Sequence, residues 1–570
     1  MTLTQPATSA PAVPATPARG MLLRQTRHEF VGLVRTPVLL FFALLFPLAF
    51  FVILSSLLGN ETLDFRSGVR LAQFLAPAFA SFGIAMSTLS VMAIGFAEIR
   101  FNGVLKRLSG SPLPRSVLLG GRMTAGTFLA IAATVILLVV GVVLYDVQIL
   151  WARMPGFAVT VLVAAVSFCA IGLAIAALAP SFQVAIALAN GLVIPLAFLS
   201  DLFVVGELPD WLDAIGWAFP LKHLVNALGD GMNPFLDTSG FYPDHLAAIA
   251  AWGVLGAVVA AWAIRRDAIR QDAGRVDHRT RRAQQDSEAG QGRAVTRHAG
   301  RDAAPRRHGR PSATALIVDQ MRHATTEQWR DWSSPFFGIF FPVLLVVLFP
   351  TIFGATDPEI RQEVAQTIAA TMTVYGTAVI AYVNMPQGLA EAREANVLKR
   401  WAGSPLPSWA LFTGRAVSST LLALLVMVAA YALAVVIYGI VVPPSWPSAV
   451  VVLVISALSF AALGMAVISV VRGTQSALAV CLGSLISLSF ISDIFLFGVD
   501  FPAWLDALAW TFPLRHAVNA FVDAMAADAS GVVLGLDHLA VIIAWGVVGL
   551  LVVLARFNAD PVRLRRRSTR

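Results

Sequence analysis

Acidic and imidazole side chains at four places are the first candidates for chemistry. Asp201 and Asp493 each lie near the end of a long apolar run, and His223 and His516 lie further along, each beside a basic residue. Buried carboxylates and imidazoles can carry protons or hold a substrate. A carboxylate at a helix end is more often solvated or caps the next segment, and such a histidine more often anchors a helix at an interface. We therefore expect these four residues to have structural roles.

The familiar catalytic and nucleotide-binding motifs are absent from the sequence. There is no Gly-x-x-x-x-Gly-Lys-Ser/Thr loop to hold nucleotide phosphates, no His-Glu-x-x-His motif and no Gly-x-Ser-x-Gly turn. Cys169 and Cys481 lie in apolar runs at places that do not match, so neither a disulfide nor a metal site is expected. We predict no catalytic residue, no metal and no cofactor on this chain.

A short basic segment occurs twice, each time between long apolar runs. Residues 98–122 and 391–415 share the order Val-Leu-Lys-Arg, and Gly-Ser-Pro-Leu-Pro follows soon after in both. On a helix the apolar side chains of each copy fall on one stripe with the basic ones beside it. We predict a short amphipathic helix in each copy, lying against the inner membrane surface where a partner can push on it. The residues assigned to this contact are Glu98, Arg100, Leu105, Lys106, Arg107, Leu108, Glu391, Arg393, Glu394, Leu398, Lys399 and Arg400.

The elements that must position these residues are membrane-spanning helices. Of the 570 residues, 57% are hydrophobic and 13% are charged. Apolar runs long enough to cross a hydrocarbon core of about 30 Å recur along the chain. This pattern predicts an all-α polytopic membrane protein; the strands of a β-barrel would alternate. In the first half the runs are 38–59, 71–97, 123–145, 157–178, 182–205 and 245–264.

Between the fifth and sixth runs of each half lies an apolar segment that a proline breaks. The break falls at Pro220 in the first half and at Pro513 in the second. Each arm is too short to span, since a membrane needs about 20 helical residues. We predict a re-entrant helical hairpin on the outer side and assign Asp201, Pro220, Asp493 and Pro513 to an outer gate.

The second half of the chain repeats the first. The basic segment, the hairpin and the last run recur at an offset of 293 residues, and Asp201 matches Asp493 at 292, which indicates an internal duplication. Arginines concentrate in the proposed inner loops and acidic residues in the outer segments. Both copies then have the same orientation, and both termini are cytoplasmic. We predict two parallel six-helix repeats, about 12 transmembrane helices, in the plasma membrane.

Composition divides the chain into five parts. Residues 1–36 form a cytoplasmic tail with an amphipathic lead-in, 37–264 the first repeat, 265–312 a basic flexible linker, 313–556 the second repeat with its lead-in, and 557–570 a basic cytoplasmic tail. The net charge of +8 comes largely from arginines outside the apolar runs. Since topology accounts for basic inner loops, nucleic acid is not expected as a partner.

Aromatic side chains in the apolar runs are candidates for a substrate path. Six of them can line an apolar pocket: Phe74, Phe82, Phe198, Tyr375, Tyr382 and Phe490. For any single one, the alternative is contact with lipid or a neighbouring helix. The runs carry almost no charge at mid-depth, which favours a hydrophobic or amphiphilic substrate.

The repeated loop and the arrangement of spans resemble the type-2 ATP-binding-cassette exporter permeases. In that family the loop reads Arg-Glu-Arg-Glu-x-Gly-Thr-Leu-Glu-Arg-Leu, followed by Pro-Leu. The matching residues are Arg100, Gly103, Leu105, Arg107, Leu108, Pro112 and Leu113 in the first copy and Arg393, Glu394, Leu398, Arg400, Pro405 and Leu406 in the second. The sequence departs from the pattern at Phe101, Asn396, Lys106 and Lys399. Two repeats in one chain of this length most resemble the tetronasin-type antibiotic-export permeases of actinobacteria.

The resemblance implies a permease subunit without a nucleotide site of its own. A separate ATPase subunit, in two copies that carry the ATP and Mg, would dock on the loop helices and drive alternating access. The two lysines replace a glutamate of the family pattern and imply an ATPase surface more acidic than usual. The expected function is export of hydrophobic or amphiphilic compounds, such as antibiotics, across the lipid bilayer.

Two other functions stay open on the residues alone. A proton-coupled major-facilitator-type drug transporter also has two parallel six-span halves. It usually carries a Gly-x-x-x-Asp-Arg-x-Gly-Arg-like loop and buried charges, which we do not find in this sequence. A membrane-embedded enzyme acting on lipid intermediates would need a polar cluster near an interface, and the hairpin Asp and His residues are its candidates.

Overall fold

The computed structural model of the chain is almost entirely helical in the part that it describes. Its one sheet there is an antiparallel pair of β1 (Thr62–Leu63) and β2 (Val69–Arg70). For residues 267–289 only the backbone is described. The described residues are 18–36, 40–57, 62–63, 68–104, 107, 114–202, 208–289, 312–331, 333–353, 358–402, 407–471, 473–495 and 501–556. The predicted tails 1–17 and 557–570 and the loop residues Leu105, Lys106 and Leu108 lie outside these ranges.

The first repeat begins with a lead-in helix, α1 (Ala18–Val34), which packs on the third span. The five apolar helices that follow are α2 (Phe41–Ser56), α3 (Leu71–Phe101), α4 (Arg115–Tyr145), α5 (Met154–Leu178) and α6 (Phe182–Leu199). The hairpin arms are α7 (Asp210–Trp217) and α8 (Pro220–Met232), and the sixth span opens α9 (Pro243–Ala289).

The second repeat has the same order of elements. Its lead-in helix is α10 (Ala313–Arg330), and α13 (Val397–Ala402) is an additional short helix in the basic loop. The first five spans are α11 (Ser333–Ile352), α12 (Pro358–Glu394), α14 (Ser408–Tyr438), α15 (Trp446–Val470) and α16 (Thr474–Ile491). The hairpin arms are α17 (Ala503–Ala509) and α18 (Pro513–Ala524), and the last span is α19 (Leu536–Arg556).

Ten helices among the described residues are long and apolar enough to cross a membrane. Two shorter apolar helices, Phe41–Ser56 and Ser476–Ile491, occupy places predicted for two further spans. The all-α polytopic class is therefore confirmed, as is the proline-broken hairpin in both repeats. The full set of six plus six spans stays a prediction.

Two helix boundaries differ from those of the apolar runs. Helix α3 continues past its apolar run to Phe101, because polar residues at a membrane surface can extend a helix beyond the hydrocarbon core. Helix α6 ends at Leu199, short of the predicted Val205. There the chain turns through Asp201, whose φ of 58° is left-handed and stops an α-helix.

The segment predicted as a flexible linker, 265–312, is helical in its first part. Helix α9 continues without interruption to Ala289. This stretch is rich in Arg, Ala and Gln, which are good helix formers, and it contains no proline. Beyond Arg266 the helix extends for roughly 35 Å at 1.5 Å per residue. Residues 265–289 are therefore helical, and the assignment of 265–312 as a linker stays a prediction.

Among the described residues, four π-helical turns interrupt the first two spans at matching places in the two repeats: Phe41–Leu45, Met86–Ser90, Phe336–Phe340 and Val379–Asn384. Three of them are followed by a proline, at 47, 342 and 386. Proline lacks a backbone N–H and cannot complete the normal α-helical pattern, which favours a wider turn before it. The bulges divide these spans into an outer and an inner part.

Small residues bring the fourth and sixth spans of each repeat close together. A Cβ atom added to Gly256 would lie 2.8 Å from the backbone nitrogen of Ile171. One added to Gly549, the matching residue, would lie 2.8 Å from the carbonyl carbon of Ala462. Membrane helices associate through this kind of close backbone approach.

The orientation of the two repeats can be tested by cysteine labelling. Arg107 and Arg400 are exposed in the basic loops, and Trp211 and Trp504 are 57% and 70% exposed on the hairpins. Single cysteines replacing the arginines should react with a membrane-impermeant maleimide from the cytoplasmic side only, and those replacing the tryptophans from the outside only, following the arginine asymmetry.

The two native cysteines serve as the internal control. Cys169 and Cys481 are buried, so the unmodified protein should stay unlabelled from both sides in intact cells and in inverted vesicles. Labelling of the two loop positions from opposite sides would show an inverted repeat and overturn the parallel arrangement.

Candidate coupling loops, outer clusters and aromatic seam

The predicted amphipathic helix is present in the second basic loop. Helix α13 follows α12 after a short turn. Leu398 and Trp401 are half-buried against the core of the second repeat, while Arg400 is exposed. The helix is thus held by its apolar side chains and presents a cation on its free side.

Both loops turn through one residue in the left-handed region. Gly103 has a φ of 70° and Asn396, at the matching place, a φ of 57°. Glycine adopts this conformation freely, and asparagine tolerates it better than most residues. The departure from the family pattern at Asn396 is therefore compatible with the same turn. In the first loop, Arg107 is exposed like Arg400.

Two arginines assigned to partner contact bind inside the chain instead. Arg100 Nη1 donates hydrogen bonds to the carbonyl oxygens of Ala176 and Ala179, both at 2.8 Å, at the inner end of α5. Arg393 donates in the same way to Ile468 at 2.6 Å and Val471 at 2.9 Å, at the inner end of α15. The last carbonyls of a helix have no intrahelical partner, and a cation there also suits the helix dipole. Arg100 and Arg393 therefore cap the fourth spans.

The acidic residues of the loops also divide into those that bind within the chain and those that are exposed. Glu394 Oε1 accepts a hydrogen bond from the backbone N–H of Thr474 at 2.8 Å, which caps the start of α16. Glu391 accepts a hydrogen bond from Gln387 at 3.0 Å on its own helix. Glu98 is exposed. In the described part of the loops, Glu98, Arg107 and Arg400 are the assigned residues best placed to meet a partner.

The lead-in helices are tied to the third spans by ion pairs that the sequence analysis did not predict. Glu29 lies 3.7 Å from Arg122, and Glu327 lies 2.6 Å from Arg415. The only signal was the recurrence of Gly-Arg at 121–122 and 414–415, at the end of each basic segment. These pairs join each lead-in helix to the span that leaves the basic loop.

A buried lysine organises the first outer hairpin. Lys222, which is 1% exposed, places its Nζ 3.2 Å from Asp201 and in contact with Asp213. It also lies 3.5 Å from the carbonyl oxygen of Leu199 and over the ring of Trp217. One cation thus joins both hairpin arms to the end of α6. Asp201 is buried and ion-paired here, so the expectation of a solvated carboxylate is wrong.

The second hairpin has the same cluster with an arginine in place of the lysine. Arg515 lies 3.3 Å from Asp493 and 3.0 Å from Asp506, and donates a hydrogen bond to the Ile491 carbonyl at 2.8 Å. Burial raises the pKa of Asp493; Arg515 opposes this rise, and Asp506 adds to it. Pro220 and Pro513 each begin the second hairpin arm, where a missing N–H has no cost.

Histidine pairs hold each hairpin to its sixth span. The Nδ1 atoms of His223 and His245 are 3.0 Å apart, and those of His516 and His538 are 2.9 Å apart. In the first pair His223 Nε2 lies 3.0 Å from the carbonyl oxygen of Trp217, which can only accept, so Nε2 carries a proton. The hairpin histidines therefore bind within the chain, whereas sequence analysis expected interfacial anchors.

Aromatic rings fill the contact between the two repeats. Phe490 packs on Phe50 with ring centroids 3.8 Å apart, and Phe198 packs on Phe349 at 4.9 Å. Each pair joins the fifth span of one repeat to the first span of the other. We call this contact, extended by Phe46, Phe82, Tyr375 and Phe495, the aromatic seam.

The six aromatic candidates thus separate into three groups. Phe82, Phe198, Tyr375 and Phe490 lie buried along the aromatic seam. Tyr382 is half-buried and hydrogen-bonded to Ser484. Phe74 lines a separate pocket with Val225 and Asn226 beside the first hairpin.

No group of three or more His, Cys, Asp or Glu residues within the described ranges is placed to hold a metal ion. The features of the candidate site are contacts between helices and charged side chains. It has exposed cations on the inner loops, cation-capped spans and an apolar seam between two halves.

These features define a duplicated polytopic membrane protein. The sequence profile described as ABC-2 type transporter matches residues 23–232 and 320–526, one match in each repeat and together well over half of the chain. The chain belongs to the ABC-2 type transporter family. No curated protein matches the sequence.

The first outer cluster can be tested by removing its cation. Lys222→Met removes the cation that pairs with the buried Asp201 carboxylate, and breaking a buried ion pair in this way costs about 3–5 kcal/mol. The thermal midpoint of the purified protein in detergent should fall by several degrees.

Lys222→Arg is the matched control, because the second repeat carries Arg515 at the same place. It should keep the midpoint close to that of the unmodified protein. Equal midpoints for Lys222→Met and the unmodified protein would show that the cluster does not hold the hairpin.

The pKa of Asp493 predicts a pH dependence of stability. Between the ordinary aspartate value and the raised one, the folded protein holds a proton that the unfolded chain releases. The free energy of unfolding should therefore fall as pH rises through this window. The Asp493→Asn variant should lack this part of the pH dependence. Thermal midpoints of both proteins measured from pH about 4 to 8 test this; parallel profiles would contradict it.

Proposed function

We propose that the chain is the permease of an exporter that a separate ATPase powers, with one ATPase docking on each basic loop. Membership in the ABC-2 type transporter family supports the permease assignment. The observation that carries the docking proposal is α13, whose apolar side is seated while Arg400 is exposed. Two loops in matching places call for two copies of the ATPase, which would bind the ATP and Mg.

Movement of a loop would reach the spans through the capping residues. Arg100 and Arg393 join the inner end of each second span to the end of the fourth span. Glu394 joins the second loop to the start of the fifth span. A push on α13 would therefore act on the fifth span. Phe490 of this span lies in the aromatic seam.

The proposed substrates are hydrophobic or amphiphilic compounds, with antibiotics as candidates. An apolar aromatic seam discriminates by shape and dispersion and offers little to a strongly charged solute. The outer hairpins lie beyond the seam and, with Asp201 and Asp493 clamped by cations, would form the outer gate. The plasma membrane with both termini cytoplasmic is the proposed location, as the arginine distribution indicates.

Of the two alternatives, neither gains support from the structure. The ABC-2 type transporter match argues against a major-facilitator-type transporter. The Asp and His side chains considered for a lipid-modifying enzyme are engaged in ion pairs or histidine pairs within the chain.

The docking proposal predicts the effect of reversing two charges. Arg107→Glu combined with Arg400→Glu should leave the fold intact, since both side chains are exposed. If the ATPase surface is acidic, the variant should meet it with like charge and lose binding. Co-purification with the partner ATPase, and dye export from cells, are the measurements; both should drop to background.

The matched control is Arg266→Glu with Arg556→Glu, the same charge change at the inner ends of the two sixth spans. It should keep co-purification and export. Normal export by the loop variant would show that these loops serve topology only.

A further inference from the structure

The two repeats differ in polar character beside the aromatic seam. The second repeat carries Tyr382 in its second span and Ser484 in its fifth. At the offsets of 293 and 292 residues, the first repeat carries Leu89 and Leu192. At these equivalent positions the second repeat therefore has two hydroxyl groups, and the first has two hydrocarbon side chains.

The hydroxyls of Tyr382 and Ser484 are 2.9 Å apart. Ser484 also donates a hydrogen bond to the carbonyl oxygen of Val480 on its own helix at 2.6 Å. Because a serine hydroxyl has one proton, Ser484 accepts from Tyr382 while that bond lasts. Tyr382 can therefore turn its O–H to another acceptor, or accept from another donor, without leaving Ser484 unsatisfied.

The pair lies where the repeats meet. Gly483, next to Ser484, faces the ring of Phe41 from the first repeat; a Cβ added there would lie 3.8 Å from the ring. Its neighbour Leu482 packs against the cores of both repeats. Tyr382 itself stands in the π-helical turn Val379–Asn384 and is half-buried. The hydroxyl pair is thus at the junction and not sealed inside one repeat.

We propose that Tyr382 and Ser484 form a one-sided hydrogen-bonding subsite for a neutral oxygen or N–H group of an otherwise apolar substrate. The proposal rests on the proposed export function and adds to it the orientation of the substrate. The polar end of the molecule binds against the second repeat, and its hydrocarbon part lies against the apolar side chains of the first, of which Phe41 stands beside Gly483. Charged groups are not favoured, because no counter-charge stands among these four residues.

The test compares two neutral probes of nearly equal size, para-octylphenol and para-octyltoluene, which differ by a hydroxyl in place of a methyl group. The reconstituted complex with its ATPase is titrated with each probe, and the half-maximal concentration for stimulation of ATP hydrolysis is measured. Tyr382→Phe should raise the value for the phenol about two- to tenfold, the range of one hydrogen bond, and leave that for the toluene unchanged. Ser484→Ala should do the same more weakly.

Tyr431→Phe is the matched control. It removes the same hydroxyl from the same repeat, but Tyr431 is 5% exposed and its hydroxyl has no hydrogen-bond partner in the described part of the chain. It should leave the half-maximal concentration of both probes unchanged. An equal shift for both probes with Tyr382→Phe, or no shift, would overturn the subsite while leaving the exporter in place. A wild-type complex that neither probe stimulates, and that moves no dye, would overturn the export function and the subsite together.

Discussion

Helix ends in apolar surroundings impose the constraint on which this structure depends. The last carbonyls of a helix lack intrahelical partners, and water is scarce where the ends lie near a membrane. Here cations from other elements bind those carbonyls. Arg100 and Arg393 do so at the inner ends of the fourth spans, and Lys222 and Arg515 at the outer ends of the fifth. Each cap also fixes where one element stands relative to another.

This constraint explains why the basic residues near the loops have two different tasks. An arginine that caps a span is part of the fold, and its removal takes a hydrogen bond from partly buried carbonyls. An arginine such as Arg400, on the free side of a seated helix, costs the fold little and is available to a partner. The two kinds stand seven residues apart at Arg393 and Arg400. Spacing alone could not separate them, because the distinction depends on where α15 ends.

The sequence predicted the all-α polytopic class, the proline-broken hairpins and the duplication, because long apolar runs and a constant offset are local signals. It did not predict the outer clusters. Lys222 and Asp213 are charged residues in a segment that reads as amphipathic, and the pairing of Lys222 with Asp201 needs the left-handed turn that ends α6. The continuation of α9 was missed for the opposite reason. A basic segment without apolar residues looks like linker, although its residues are good helix formers.

The features that the two repeats share are those proposed to transmit movement, and the feature found in one repeat only is the one proposed to bind the substrate. The span caps, the hairpin clusters and the histidine pairs occur in both halves with nearly the same distances. Tyr382 and Ser484 occur in one half only. In a permease built from two identical chains, any residue at the junction is present twice. Fusion of the repeats into one chain removes that restriction, so the helix caps and hairpin clusters can stay symmetric while the proposed substrate surface is polar on one side and apolar on the other.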